Sequence, residues 1–192
     1  MKIKKRCDWA GEDPLMVAYH DTEWGVPIYN DRKIFEFLVL ESAQAGLSWR
    51  TILNKREGYR TLFANFDPKK ISDFNEQRVV TLLKNPAIIR NRLKIQATIH
   101  NAAQFLEVQK EYGTFSKYMW SFVGKKPIDG KRKSLADMPT ITKEAELFAK
   151  DLKKRGFKFL GPTVVYAHMQ AVGMVNDHEM SCFRYKKSPG GS

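Results

Sequence analysis

Apolar residues recur three and four positions apart along most of this chain, the repeat of a helical face, and no stretch reads as a convincing strand. Asp13-Pro14 opens a short helix carrying Val17 and Tyr19. Asp31 is the expected cap of an apolar helix running to Ala45, with Gly46 as its stop. Ser48 is placed to cap the next helix, with Leu47 and Ile52 at the staple positions around it. Asp67-Pro68 begins "DPKKISDF", and Asn75 is placed to cap "NEQRVVTLLK". A long pattern then runs from Ala87 to Glu111, with Ile88, Ile95, Ile99 and Leu106 roughly in phase. "TFSKYMWSFV" is aromatic and expected inside. After the polar, basic linker "GKKPIDGKRKSLADMPT", one helix ends at Gly156 and another begins with Pro162 in its first turn. The pattern predicts an all-α protein, one domain over residues 1–192, with a helical hairpin near its C-terminal end and a flexible tail over about 186–192.

Hydrophobic residues make up 43%, which excludes a disordered chain. Lysine and arginine number 33 against 21 aspartates and glutamates, a net charge of +12 that favours a polyanionic partner, nucleic acid first. The bland alternative is a basic solubility surface. No apolar run is long enough for a membrane span, and the charged N-terminus has no apolar core like that of a secretory signal. A cytoplasmic, bacterial location is expected. Two cysteines near opposite ends are no disulfide scaffold in such a setting.

One position breaks the pattern. Ile34, Leu38, Glu41 and Ala45 share a helical face, and a carboxylate on an apolar face is costly unless something answers it. Trp9, Tyr19, Trp24 and Trp49 crowd the same first fifty residues. Each aromatic taken alone reads as core. Aromatic faces around one polar reader are also how a flipped nucleobase is held.

Two further constellations stand out. Cys7 and His20 form C-x12-H, and His178 and Cys182 form H-x3-C, on one face if that segment is helical. Two thiolates and two imidazoles make a closed tetrahedral zinc set with no position for a catalytic water, and would clip the two ends of the chain together. On spacing alone the four are equally two buried thiols and two ordinary histidines. His100 and His168 read as ordinary helix residues. In "KKRGFKFLGPT", Gly156 ends one helix while Gly161 and Pro162 start the next, with Lys153, Lys154, Arg155 and Lys158 nearby. Glycines and a helix start suit phosphate approach, so the segment reads as a helix-hairpin-helix that holds a DNA backbone; the alternative is a plain αα-corner. The basic run Gly124 to Lys133 reads first as a solvated loop.

"DPLMVAYHDTEWGVP", "FEFLVLESAQAGLSWRTIL", "NPAIIRNRLKIQA", "GFKFLGPT" and "GMVNDHEMSC" resemble bacterial 3-methyladenine DNA glycosylase I over roughly residues 6 to 182. The resemblance implies an α-helical glycosylase of the helix-hairpin-helix superfamily, two helical lobes flanking a base-binding cleft. It implies one structural zinc on Cys7, His20, His178 and Cys182, joining the N- and C-terminal segments. It places Glu41 as the acidic residue that recognises the base, Tyr19 and Trp49 as aromatic contacts and Trp9 as pocket lining. Leu47 would enter the gap left by the flipped nucleotide, and Gly156, Lys158, Gly161 and Thr163 would meet the DNA. Met16 departs from the pattern, since some members carry a pocket tyrosine there.

The implied activity is hydrolysis of the N-glycosidic bond of 3-methyladenine in double-stranded DNA, by a monomer. The helix from Pro162 has no lysine before Gly173, so strand cleavage is not expected. Asp177 reads as structural, orienting a ligand at most. The alternatives are a non-enzymatic, zinc-stapled DNA-binding module, and a glycosylase with another base preference such as 7-methylguanine.

Overall fold

Side-chain caps set every α-helix start among the described residues except the one at Pro162. Asp13 accepts from the backbone of Leu15 and Met16, Asn30 from Lys33, and Ser48 from Thr51. Asp67, Asn75, Asn91, Thr114 and Thr142 do the same farther on. Each satisfies an N–H group that the first helical turn leaves without a partner. The computed structural model describes residues 4–185, so the tail expected over 186–192 lies outside the described residues.

Among the described residues the helices are α1 (Pro14–Thr22), α2 (Asp31–Gln44), α3 (Trp49–Leu62), α4 (Pro68–Ser72), α5 (Glu76–Leu83), α6 (Arg92–Tyr112), α7 (Phe115–Ser121), α8 (Lys143–Lys154) and α9 (Pro162–Ala171). Helix α2 is the centre. It packs on α3, α6 and α7, and also on α9, which pairs with α8. Its residues Ile34 to Ala43 are buried all round, where the sequence had suggested one apolar face. No helix among the described residues is long and apolar enough to cross a membrane.

Several expectations need correction. Asp31 does not cap α2; the extended residue before it, Asn30, does. The Asp31 carboxylate instead accepts from the N–H groups of Phe115 and Ser116, at 2.8 and 2.9 Å, and so caps α7 from 84 residues away. The long helix begins at Arg92 rather than Ala87. Ile88 is buried from an irregular turn, which keeps the apolar phase without helix. Strands do occur: β1 (Ile128–Asp129) in the basic linker pairs in parallel with β2 (Val175–Asn176), Ile128 opposite Val175. Two-residue strands carry no periodicity a sequence can display.

Candidate base pocket and hairpin

Helix α2 carries two buried glutamates with opposite fates. Glu36, 3% exposed, is held by Arg56 at 2.7 Å, Arg60 at 3.0 Å and Lys33 at 3.0 Å. Glu41, 4% exposed, receives no hydrogen bond from any described residue. Burial alone pushes its carboxyl up to about 8. At neutral pH such a group is largely protonated and waits for a positive partner.

Aromatic rings surround it. Tyr19, on the last turn of α1, lies 5.3 Å from Trp49 and 6.3 Å from Trp9, centroid to centroid. Trp9 meets Trp24 edge-on at 4.8 Å. Burial, and then the charge of Glu41, push the Tyr19 hydroxyl well up. The indole N–H groups of Trp9 and Trp49 are buried with no partner among the described residues. These rings, Met16 and Glu41 line a cavity of about 230 Å³, closed on its other side by Ala167 and Gln170 of α9 and by Leu135 and Met138 of the basic linker. That is a volume for a single flat ring system rather than a larger ligand.

The "AGLSW" turn forms the cavity's rim. Gly46 adopts φ +79°, and Lys94 donates to the carbonyls of Ala43 and Ala45 at 2.8 and 2.6 Å, closing the end of α2. Ile52 is fully buried, but Leu47 stays 40% exposed, an apolar side chain at a rim rather than half of a buried staple. A second groove of about 230 Å³ runs from Leu47 to Thr163 and Val164 and shares Glu41, Gln44 and Ala167 with the first. Glu41 therefore stands where the two meet.

Cys7, His20, His178 and Cys182 converge behind this wall. All four are buried, with their ligand atoms within 4.8 Å of one another. Cys7 Sγ is 3.5 Å from His178 Nδ1, and Cys182 Sγ is 3.5 Å from His20 Nε2 and 3.7 Å from His178 Nδ1. Tetrahedral zinc with bonds of about 2.3 Å to sulfur and 2.0 Å to nitrogen needs sulfur–nitrogen edges of about 3.5 Å, so this donor set fits such an ion. His178 and Cys182 reach the cluster from a turn, not from one helix face. Asp21 orients the His20 ring at 2.8 Å and is itself gripped by Arg6, which holds its carboxyl down at about 2. Asp177 orients neither histidine ring. It is buried and accepts from Arg132, Tyr166 and Gln170, and is structural in that sense. Arg132 is thereby removed from the set of free cations in its basic loop.

The turn between α8 and α9 has the expected helix ends and is anchored by α6, a role the sequence did not show. Gly156 takes φ +90° and closes α8, with Phe157 N–H on the Leu152 carbonyl at 3.0 Å. Asn101 of α6 brackets Lys158, accepting from its N–H at 2.7 Å and donating to its carbonyl at 2.8 Å. His100, read as an ordinary helix residue, lies 2.9 Å from the Gly156 carbonyl. Lys158, Gly161 and Thr163 are exposed. Gly161 has φ −71°, and a Cβ there would meet nothing within 4 Å, so the fold itself does not require a glycine.

The structure thus brings Glu41, Tyr19, Trp49, Trp9 and Met16 into one cavity and puts Leu47 at its rim and Thr163 in the adjoining groove, while Gly156, Lys158 and Gly161 line neither. Sequence reasoning grouped Trp24 with the aromatics near Glu41 without giving it a role, and missed Gln44, Leu135, Met138, Ala167 and Gln170 as cavity lining. A signal existed for two of them: Thr163, Ala167 and Gln170 fall at helical spacing.

Fold and site together define a helical protein with one unpaired carboxylate in an aromatic cavity. The sequence model described as methyladenine glycosylase matches residues 9–185, and the chain belongs to that family. It is 47% identical over 181 residues to DNA-3-methyladenine glycosylase 1 of Escherichia coli (strain K12), spanning 94% of this chain and 97% of the relative. A crystal structure of 3-methyladenine DNA glycosylase I superposes with a TM-score of 0.90 at 51% identity, covering 93% of this chain and 98% of that one. A single-residue variant of such an enzyme in complex with 3-methyladenine superposes with a TM-score of 0.92 at 37% identity, covering 97% and 99%.

Proposed function

We infer that this protein is a monofunctional DNA glycosylase of base excision repair, which hydrolyses the N-glycosidic bond of 3-methyladenine in alkylated double-stranded DNA and leaves an abasic site. The observation that carries the reading is Glu41: a carboxylate buried in an aromatic cavity with no partner among the described residues. A cationic base answers that charge.

Methylation at N3 makes the adenine of the nucleotide cationic and a good leaving group, so strong acid catalysis is not needed. The protein's task is to hold the flipped base, exclude bulk water and let one water add to the sugar carbon. Glu41 accepts from the exocyclic amine and favours the cation. Tyr19 and Trp49 add stacking and cation–π attraction, each on the order of 1 kcal/mol. Trp9 and Met16 complete the walls, the Met16 sulfur making a polarisable contact where some relatives carry a tyrosine. An uncharged adenine gains less from each of these contacts, so selectivity follows charge. Leu47, apolar and exposed at the rim, fits the role of filling the gap in the duplex.

The α8–α9 segment serves as a helix-hairpin-helix. Its free helix start, with Gly161 open and Thr163 and Lys158 exposed, suits a phosphate approaching the backbone. Cys7, His20, His178 and Cys182 would hold one structural zinc per chain, a closed set that ties the N- and C-terminal segments together and takes no part in the chemistry. A monomer acting on duplex DNA is the working unit. Helix α9 carries no lysine to form a covalent intermediate, so borohydride should trap nothing and strands should stay intact.

The test is to incubate the protein with methylated duplex DNA and chromatograph the released bases. Free 3-methyladenine with intact strands supports the reading. Release of 7-methylguanine alone would reassign the base, and binding without release would make the protein a DNA-binding module.

A further inference from the structure

Gln170 is a buried polar side chain on the cavity wall with no task in the reading above. Its surroundings fix which way its amide faces. The Asp177 carboxylate, wholly buried beneath the basic linker, accepts from Arg132 Nε at 2.7 Å through one oxygen, and from the Tyr166 hydroxyl and Gln170 Nε2 through the other. Gln170 Nε2 lies 2.8 Å from that oxygen. A carboxylate already receiving donors cannot face the amide oxygen, so the nitrogen must point at Asp177. The amide oxygen then has no partner among the described residues, and it is not fully enclosed; the open space that Gln170 meets is the base cavity. The linker locks this arrangement. A Cβ on Gly130 would fall 2.0 Å from Asp177 Oδ1, so only glycine lets the backbone close over the carboxylate.

We propose that Asp177 is a positioning residue that turns Gln170 so its side-chain oxygen becomes a second acceptor in the base cavity, and that Gln170 with Glu41 selects bases carrying an amine rather than an oxo group at position 6. This rests on the base-binding reading given above. An exocyclic amine offers two N–H groups, one for each acceptor. An oxo group on the same edge meets the fixed Gln170 oxygen, which cannot donate to it whatever the protonation of Glu41, and an unpaired buried acceptor is costly.

The probes are free 3-methyladenine and free 3-methylhypoxanthine, which differ in the group at position 6, titrated against the whole protein by tryptophan fluorescence. The wild-type chain is expected to prefer 3-methyladenine. Gln170→Leu should narrow that preference by about tenfold, chiefly by weakening 3-methyladenine. Asp177→Asn should narrow it too, because its carboxamide can donate to Gln170 and let the amide turn its nitrogen toward the cavity. A merely structural role would weaken both bases equally. If Asp177→Asn does not fold, Gln170→Leu alone decides. An unchanged ratio in Gln170→Leu overturns this proposal while leaving the base pocket standing. A wild-type chain that binds neither base overturns both.

Discussion

Glu36 and Glu41 sit five residues apart on α2 at almost equal burial, yet guanidinium and ammonium groups surround the first and no described residue answers the second. The folded carboxyl of Glu41 is raised from 4.5 to about 8, so the folded protein keeps a proton that the unfolded chain gives up. Stability from this group therefore falls as pH rises from about 4.5 to 8 and is level above that. Glu41→Gln removes the penalty, and thermal unfolding at pH 7.5 should show the variant more stable, by up to about 4 kcal/mol. His168 works in the opposite sense. It is wholly buried, neither ring nitrogen has a partner among the described residues, and burial lowers it from 6.5 to about 3. Its contribution is present above about 6.5 and is lost as pH falls toward 3. In His168→Phe, the drop in melting temperature between pH 7 and pH 5 should be smaller than in the wild type. The sequence displayed Glu41 as an anomaly because the stretch around it is apolar. It hid the contrast with Glu36, whose partners Arg56 and Arg60 lie on the next helix, and it gave no hint that His168 would lack partners.

At the level of elements, the two ends of α9 separate what folding needs from what DNA binding would need. Gly173 takes φ +71°, and a Cβ there would lie 2.4 Å from the Pro27 nitrogen, whereas Gly161 has an ordinary φ and open space. Gly173→Ala should cost more than about 2 kcal/mol by denaturant unfolding. Gly161→Ala should leave stability within about 0.5 kcal/mol and weaken duplex binding by fluorescence anisotropy, because the added methyl sits where a phosphate would approach. The helices themselves were legible, since caps such as Ser48, Asn75 and Asp67 act within a few residues of themselves. Features made at a distance were not. Asp31 caps α7 across 84 residues, Asn101 grips the hairpin from α6, and β1 meets β2 only after the chain returns from α9.

At the scale of the molecule, the Cys7–His20–His178–Cys182 cluster is the point where the two ends of the described chain meet, directly behind the cavity: His178 packs edge-on to Trp24 at 4.6 Å, and Trp24 lines the pocket. Elemental analysis is expected to give one zinc per chain, and a strong chelator should lower the melting temperature by at least about 5 °C. An unchanged melting temperature would leave the cluster as buried thiols and imidazoles. The four residues were legible as two pairs, but only the fold brings the pairs together. A cationic base is the proposed partner of Glu41, and single-turnover release of 3-methyladenine from methylated duplex DNA by wild type and Glu41→Gln tests this most directly. That pairing predicts a loss of at least about 100-fold in a variant that is folded and more stable. Release by Glu41→Gln at the wild-type rate would contradict it.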